Sequence, residues 1–335
     1  MGKSISRQPR AEEKCSISKG RSFVYKHRSQ MGTGTVLAAV LILFIVGSPQ
    51  TFLSSKIYFA FMSTLPFSAI MALALTLIVI SGEMDLSFPA IMGFCGFVFT
   101  MVFHASQSFV IALLVALLVG LGAGALNGLL IVGLGLPSMV TTIGTQFFWA
   151  GLTQVLSGGL GKTLVPTKGS FLFHLLVGRV WGRFPMQTLW AVIIGIIIWF
   201  VLNRHKLGAH IYFSGDNPHS ARVMGVNVER VKLIVFTQMG LFSAFAGILA
   251  SLEVLYFWPT LGQGYLLKTI AAVFLGGTPV EGGVGTVFGT FIGAIVICML
   301  EAGIIAMGMT GFWTQLVYGL IIVISIALHS AIRKR

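Results

Sequence analysis

The chain has 335 residues, of which 56% are hydrophobic and only 9% are charged. A soluble domain carries roughly a quarter charged residues, so this composition excludes an ordinary soluble globular protein. The net charge of +13 would indicate nucleic-acid binding in a soluble protein. Here the basic residues crowd into the two chain ends, beside apolar segments, so we expect no nucleic-acid partner.

Apolar segments follow one another along the whole chain, most of them about twenty residues long. That length allows a helix to cross a roughly 30 Å hydrocarbon layer. We place them at 34–54, 57–80, 88–106, 108–134, 138–157, 186–203, 231–254, 266–277, 283–305 and 312–332. The segment at 266–277 is too short to span a bilayer alone and continues into the sequence GGTPVEGG, which favours a half-helix or re-entrant piece. The predicted fold is an all-α polytopic membrane protein of about ten transmembrane helices, including broken or re-entrant segments.

The basic flanks predict the topology. Residues 1–33 form a basic tail, 34–332 the membrane domain and 333–335 a basic C-terminus. Basic flanks mark the cytoplasmic side, so both termini are expected in the cytoplasm. Counting six crossings from there puts the basic stretch 203–232 inside as well. The same count puts 158–186 outside, although that stretch also carries several basic residues.

The stretch SGEMDLSFPA at 81–90 places two carboxylates, Glu83 and Asp85, between apolar segments. A carboxylate inside a membrane costs about 2.5–3.5 kcal/mol on insertion scales and marks a pathway or a paired structural site. Three roles are open for Asp85. We favour capping, by Asp85 or Ser87, of a helix that begins near Phe88; contact with a transported solute and proton or ion coupling are the alternatives.

Glycines recur at four-residue spacing at 120, 124 and 128 and again at 285, 289 and 293. Small residues on one helix face let two backbones approach closely, so these positions predict tight helix packing. The stretch SGGLGKT at 157–163 is similar to a phosphate-binding loop. It has Leu156 where the first glycine is needed and no strand before it, which excludes ATP hydrolysis by this segment.

Two further polar residues lie within apolar runs. Asn127 either bonds a neighbouring helix or lines a polar path, and Glu301 either reaches an interface or lines a water-filled cavity. No His, Cys or carboxylate cluster has catalytic or metal-ligand spacing. We therefore expect no enzyme activity and no metal or cofactor bound by this chain.

The stretch GDNPHSARVMGVNVERVK within 203–232 predicts a short amphipathic helix. Asn217 and Pro218 are typical of a helix start, and Gly225 of its end. A short helix held between two membrane segments suits docking to another protein, and a plain surface loop is the alternative.

Four motifs, in order along residues 55–330, resemble those of a known family: the permease subunits of bacterial ABC importers for ribose, galactose, xylose and related sugars. They are GEMDLSFPA at 82–90; LNGLL at 126–130 with Pro137 and TIGT at 142–145; SGDNPHSARVMGVNV at 214–228; and IAAVFLGGT at 270–278 with GGVGTVFGT at 282–290. The resemblance implies a type II ABC importer-like fold in the bacterial cytoplasmic (inner) membrane.

The resemblance also implies partners and a mechanism. Residues of about 215–226 would form a coupling helix docked onto a separate ATP-binding subunit, which holds the ATP and Mg²⁺. A second permease chain, identical or a paralogue, would complete the pore, and a periplasmic sugar-binding protein would deliver a monosaccharide or small polyol for alternating-access transport. The coupling residues expected from the motif are Asn217, Pro218, Ala221, Arg222 and Gly225.

A sugar path needs polar groups and aromatic faces. Our candidates for it are Asp85, Ser87, Asn127, Thr145, Glu301, Trp313 and Gln315. Where the family often has Asn-Asn, this chain has Glu301-Ala302, which leaves room for another polyol or a solute of cationic character. Two alternative functions stay open: a proton-coupled secondary transporter using Asp85 or Glu301, and a structural or regulatory subunit that keeps residues 217–225.

Overall fold

The structure, a computed structural model, describes the backbone of residues 33–333 and the side chains of residues 33–325 and 327. The predicted basic tail, apart from Thr33, lies outside the described residues, as do Lys334 and Arg335.

The described chain is almost entirely helical. The helices are α1 (Thr33–Gly47), α2 (Pro49–Phe52), α3 (Ser55–Ile80), α4 (Phe88–Ser106), α5 (Phe109–Gly133), α6 (Ser138–Ser157), α7 (Phe171–Val177), α8 (Met186–Arg204), α9 (Lys206–Asp216), α10 (Pro218–Val223), α11 (Val228–Val254), α12 (Tyr265–Leu275), α13 (Val287–Ala306) and α14 (Phe312–Arg333). A 3₁₀ helix covers Val165–Gly169. Four two-residue strands pair antiparallel: β1 (Lys162–Thr163) with β4 (Tyr256–Phe257), and β2 (Arg179–Val180) with β3 (Phe184–Pro185).

The predicted polytopic fold is confirmed. Among the described residues, six helices are long and apolar enough to cross a membrane: α3, α4, α5, α8, α11 and α13. Every predicted apolar segment contains a helix, but the segment at 34–54 is divided into α1 and α2. The division falls at Ser48 because a residue that precedes proline is driven out of the helical conformation, and Pro49 opens the next helix.

The half-helix expected near 266–277 is α12, which has 11 residues. The chain descends to it in irregular conformation along α4, so closely that a Cβ on Gly262 would overlap the carbonyl oxygen of Pro89, and one on Gly93 that of Leu261. Leu261 and Gly262 are buried against α4, whereas Thr260, Gln263 and Gly264 are exposed. Irregular backbone at membrane depth is tolerated where it is buried in protein or lines a water-filled cavity. Residues 258–264 and α12 together thus make one broken crossing.

Helix α3 is the central helix of the bundle. In its most apolar window 83% of the residues are buried, against 28% in α8. α3 packs against α8, α11, α12 and α13. The apolar side chains that α5 and α8 leave exposed are the surface expected to face lipid, since lipid tails carry no hydrogen-bonding groups.

The glycine spacing does serve close packing. Gly124 of α5 faces Gly240 of α11, and a Cβ on Gly240 would lie 2.7 Å from the backbone nitrogen of Gly124. Gly293 of α13 packs in the same way on α12, where a Cβ would lie 3.1 Å from the nitrogen of Gly276. The prediction of tight helix pairs is confirmed for α5–α11 and α12–α13, but Gly285 lies outside α13, in the irregular segment before it.

Candidate functional site

Two interruptions of the helices meet at one end of the bundle. We define the first break as residues 81–87, between α3 and α4, and the second break as residues 276–286, between α12 and α13. The backbone N–H of Gly283 donates to the carbonyl oxygen of Ile80 over 2.8 Å. A Cβ on Gly282 would lie only 2.8 Å from the Cα of Gly82. The two sequence interruptions therefore form one contact region.

The end of α9 packs onto that contact region. A Cβ on Gly215 would overlap the carbonyl oxygen of Ile80 and lie 2.7 Å from the nitrogen of Gly283. A side chain at 215 is thus excluded by both breaks at once. One residue separates α9 from α10, so α10 is connected to the two breaks through a short junction. We call this side of the molecule the α10 end.

Side chains of α6 hold the backbone of the first break. The N–H of Met84 donates to the Ser138 hydroxyl over 3.2 Å, and the N–H of Leu86 donates to the Thr142 hydroxyl over 3.1 Å. These bonds replace the helical partners that the break removes, as buried amides require. The predicted Thr145 lies one turn further along α6 and is buried, with its hydroxyl donating to the Thr142 carbonyl over 3.4 Å.

Three predicted residues, Asp85, Ser87 and Asn127, form a buried chain of hydrogen bonds. One Asp85 oxygen, Oδ1, accepts from both the N–H and the hydroxyl of Ser87, each over 2.7 Å. The Asn127 side-chain amide donates to the same hydroxyl over 2.7 Å. All three side chains are fully buried. Within the described part of the chain, Oδ2 of Asp85 and Oδ1 of Asn127 accept no hydrogen bond.

The capping role proposed for Ser87 is wrong. Ser87 occupies the N-cap position of α4, but its side chain makes no bond to the first turn because its hydroxyl is taken by Asp85. The Asp85 carboxylate binds the N–H of the N-cap residue itself, so it fixes the entry to the helix from two positions before the N-cap.

An ion pair closes the first break at the α10 end. Glu83 pairs with Lys232 of α11, and their side chains are 13% and 24% exposed. The sequence singled out Glu83 but did not identify its partner, which is far away in the chain.

The short helix predicted in the stretch 203–232 is present, but it is shorter than expected. α10 covers Pro218–Val223 rather than 215–226 because α9, which the sequence analysis missed, runs to Asp216. Asn217 caps α10 by accepting the N–H of Ser220 over 3.0 Å. Ala221 is fully buried, and Gly225 has a φ of +83° in the turn that follows.

Arg222 holds α10 against α11. Its Nε and Nη2 both donate to one oxygen of Glu229, over 3.0 and 2.7 Å. At the tip beyond this pair, Val223 is 78% exposed and Met224 61% exposed. The tip thus presents apolar side chains on a rigid turn, which is a surface suited to a protein partner.

The remaining candidates lie elsewhere. Glu301 of α13 lies 3.5 Å from the ammonium group of Lys268 on α12, which in turn lies 4.1 Å from the centre of the Tyr265 ring. Trp313 and Gln315, in the first turn of α14, are exposed. Among the described residues no hydrogen bond joins these groups to Asp85. Sequence reasoning missed Lys268, although a lysine inside the apolar segment 266–277 was the available signal.

The opposite end of the bundle has its own polar network. Arg179 pairs with Glu253 of α11 and donates to the Ser63 hydroxyl of α3 over 2.8 Å. The buried Gln187 donates to the other Glu253 oxygen over 2.8 Å. These bonds tie the segment before α8 to two central helices. Within residues 33–333, no three His, Cys, Asp or Glu side chains are grouped so as to hold a metal ion.

Comparison with known proteins agrees with this architecture. A family model described as the permease component of branched-chain amino acid transport systems matches residues 57–326. The chain is 29% identical over 295 residues to the ribose import permease protein RbsC of Escherichia coli K12, covering 87% of this chain and 91% of that protein. It is also 29% identical over 291 residues to the autoinducer 2 import system permease protein LsrC of Yersinia pseudotuberculosis serotype O:3, covering 86% and 82%. No solved structure matches the chain significantly.

Proposed function

Because this chain belongs to the family of transport-system permease components, we propose that it is the membrane permease of an ATP-driven ABC importer for a monosaccharide or small polyol. The names of its relatives, a ribose and an autoinducer 2 import permease, support that substrate class. The observation that carries the proposal is the contact of Gly215 with both helix breaks, which connects an exposed docking helix to the interior of the bundle.

In this proposal the α10 end faces the cytoplasm and the protein lies in the bacterial inner membrane. The α10 end carries Lys206, Arg222, Arg230 and Lys232, as expected for a cytoplasmic face. Both chain termini would then lie in the cytoplasm.

The α10 tip would dock into a groove of a separate ATP-binding subunit, which carries the ATP and Mg²⁺. Asn217, Pro218 and Gly225 shape the helix and its turn, Ala221 seats it on the bundle, and Arg222 braces it through Glu229. Closure of the ATP-binding subunits would move α10, and the α9–α10 junction would carry this movement into both breaks. Alternating access of this kind uses broken helices at the binding site.

In this proposal the solute binds polar groups that are bonded to one another and buried in the present conformation. We propose that movement of the first break opens the Asp85–Ser87–Asn127 chain, so that the free acceptor atoms of Asp85 and Asn127 receive solute hydroxyl groups, with Thr145 beside them. Trp313 and Gln315 would offer a stacking face and an amide at a second point of the path. Glu301 is paired with Lys268, which favours a neutral solute over a cationic one.

Three partners complete the proposed importer: the ATP-binding subunit, a second permease chain and a periplasmic binding protein that delivers the solute. Membership in the permease family does not favour the proton-coupled alternative through Asp85 or Glu301.

The test is ATP-dependent uptake of labelled pentoses and hexoses into vesicles that hold the permease together with an ATP-binding subunit and a binding protein of its importer. In Val223→Asp a carboxylate is forced into the proposed docking groove. Desolvating an unpaired charge costs well over about 1.4 kcal/mol, so we expect uptake to fall at least about tenfold. Val165→Asp makes the same change at an exposed site of the opposite end and should leave uptake near the wild-type rate.

A charge swap tests the role of Arg222. Arg222→Glu alone abolishes its pair with Glu229, whereas Arg222→Glu with Glu229→Arg restores a pair inside the chain. Recovery of uptake in the swap would show that Arg222 acts only as a brace. Equal uptake in the two aspartate variants contradicts docking through the α10 tip, and uptake that needs no ATPase but follows a proton gradient contradicts the importer.

A further inference from the structure

A basic cavity lies at the α10 end. It has a volume of about 390 Å³ and is enclosed by the start of α9, the turn after α10 and the first two turns of α11. Four basic or titratable side chains line it: His205, Lys206, His210 and Arg230. No carboxylate is among its lining residues.

The charges in the cavity are not neutralised by the chain. Lys206 and Arg230 are exposed and form no ion pair with any residue that the structure describes. The carboxylate next to Arg230 in sequence, Glu229, is taken up by Arg222. A concave surface lined by one sign of charge attracts the opposite charge, so the cavity selects an anion.

The other wall of the cavity is apolar and points toward the membrane. Leu207, Val231 and Ile234 line it. Val231 and Ile234 belong to α11, which is long and apolar enough to span a membrane, and Arg204 ends α8, another such helix, one residue before His205. The cavity therefore lies where two membrane helices reach the membrane edge, with its basic rim outside and its apolar wall leading inward.

We propose that this cavity binds the phosphate of an anionic phospholipid, with Lys206 and Arg230 on the phosphate and an acyl chain against Leu207 and Ile234, which are partly exposed. A free phosphate would use the cations alone, whereas a phospholipid matches both the cations and the apolar wall. Basic pockets between membrane helices bind lipid head groups by this combination. The site does not depend on the proposed transport function.

The experiment uses the full-length chain in nanodiscs of phosphatidylcholine that contain a minor fraction of spin-labelled phosphatidylglycerol or of spin-labelled phosphatidylcholine. The immobilised fraction of each label gives its relative affinity. We expect phosphatidylglycerol to be preferred, and the preference to fall about tenfold or more in Lys206→Gln with Arg230→Gln. Lys168→Gln with Arg183→Gln removes the same two charge types at exposed sites of the opposite end and should keep the preference.

Each outcome decides the proposal. Equal immobilisation of the two lipids by the wild type overturns it, and so does an equal loss of preference in both double variants. Displacement of the labelled lipid by inorganic phosphate at constant ionic strength would assign the cavity to a free anion instead. If the Lys206 and Arg230 variant keeps its lipid preference but binds the ATPase more weakly, the cavity belongs to the protein interface. Both pairs are exposed, so we expect both double variants to fold normally. Size exclusion and circular dichroism check this.

Discussion

The two breaks meet at one point but are held by different means. In the first break, neighbouring side chains bind the backbone: Ser138 and Thr142 take two amides, and Asp85 takes a third. In the second break the backbone turns at four glycines with positive φ, at 277, 282, 283 and 285, whereas the first break has one such glycine, Gly82. Its Glu281 and Val284 are exposed.

This difference predicts different responses to mutation. Where side chains hold the backbone, removing one polar group leaves its partners unsatisfied and costs a limited amount of stability. Where glycines fit against a neighbouring backbone, adding a single carbon creates an overlap that only backbone displacement relieves. The region that both breaks share, around Gly215, is the most sensitive to added volume.

The largest effect is expected for Gly215→Ala. The new Cβ would overlap the Ile80 carbonyl oxygen and crowd the nitrogen of Gly283. Because both are backbone atoms, we expect a cost above the roughly 1–3 kcal/mol that is usual for overpacking. Thermal unfolding in detergent measures it, together with ATP-dependent uptake. Gly122→Ala is the control, since a Cβ there meets no atom within 4 Å, and it should not destabilise the protein. Equal melting temperatures for the two variants would contradict the packing of α9 on the breaks.

A smaller effect is expected for Asn127→Ala, which tests whether side-chain hydrogen bonds hold the first break. The substitution removes the donor to the Ser87 hydroxyl inside a buried chain, and loss of such a bond costs about 1–3 kcal/mol. Asn203→Ala removes a bond of similar length, 2.9 Å to the Trp199 carbonyl, at an exposed position, where changes usually stay within about 0.5 kcal/mol. If chemical denaturation gives both variants the same loss, the buried chain does not hold the first break.

The smallest effect concerns the ion pairs at the α10 end. A double-mutant cycle with Glu83→Gln and Lys232→Gln should give a coupling energy of about 1 kcal/mol, since contacting pairs couple by roughly 0.5–3 kcal/mol. The pair Arg222–Glu229, with side chains 50% and 47% exposed, should couple by roughly 0.2–1 kcal/mol, and less at high salt. A larger coupling energy for the exposed pair would show that burial does not determine which of the two ion pairs is stronger.

Much of the fold was predictable because lipid tails cannot form hydrogen bonds with the protein backbone. Backbone groups in a bilayer must be satisfied within the segment itself, which requires helices, and apolar runs therefore coincide with helices. The bounds of α4 and α6 match the predicted segments, and α8 extends one residue further. The helix α9 was missed because it lies in a polar stretch, where hydropathy carries no spanning signal.

The sequence by itself determined the helical class, the positions of both breaks, the glycine faces and the short helix that opens at Asn217 and Pro218. Each of these follows from local chemistry: hydropathy over one segment, the small size of glycine, or the fixed φ of proline.

Only the tertiary structure decided which groups meet. Glu83 pairs with Lys232 and Glu301 with Lys268, and Gly215 joins two breaks that lie far apart in the chain. No local preference specifies such contacts. They arise because packing α9, α11 and α12 around α3 places distant residues within a few ångströms, where charge and excluded volume select the partner.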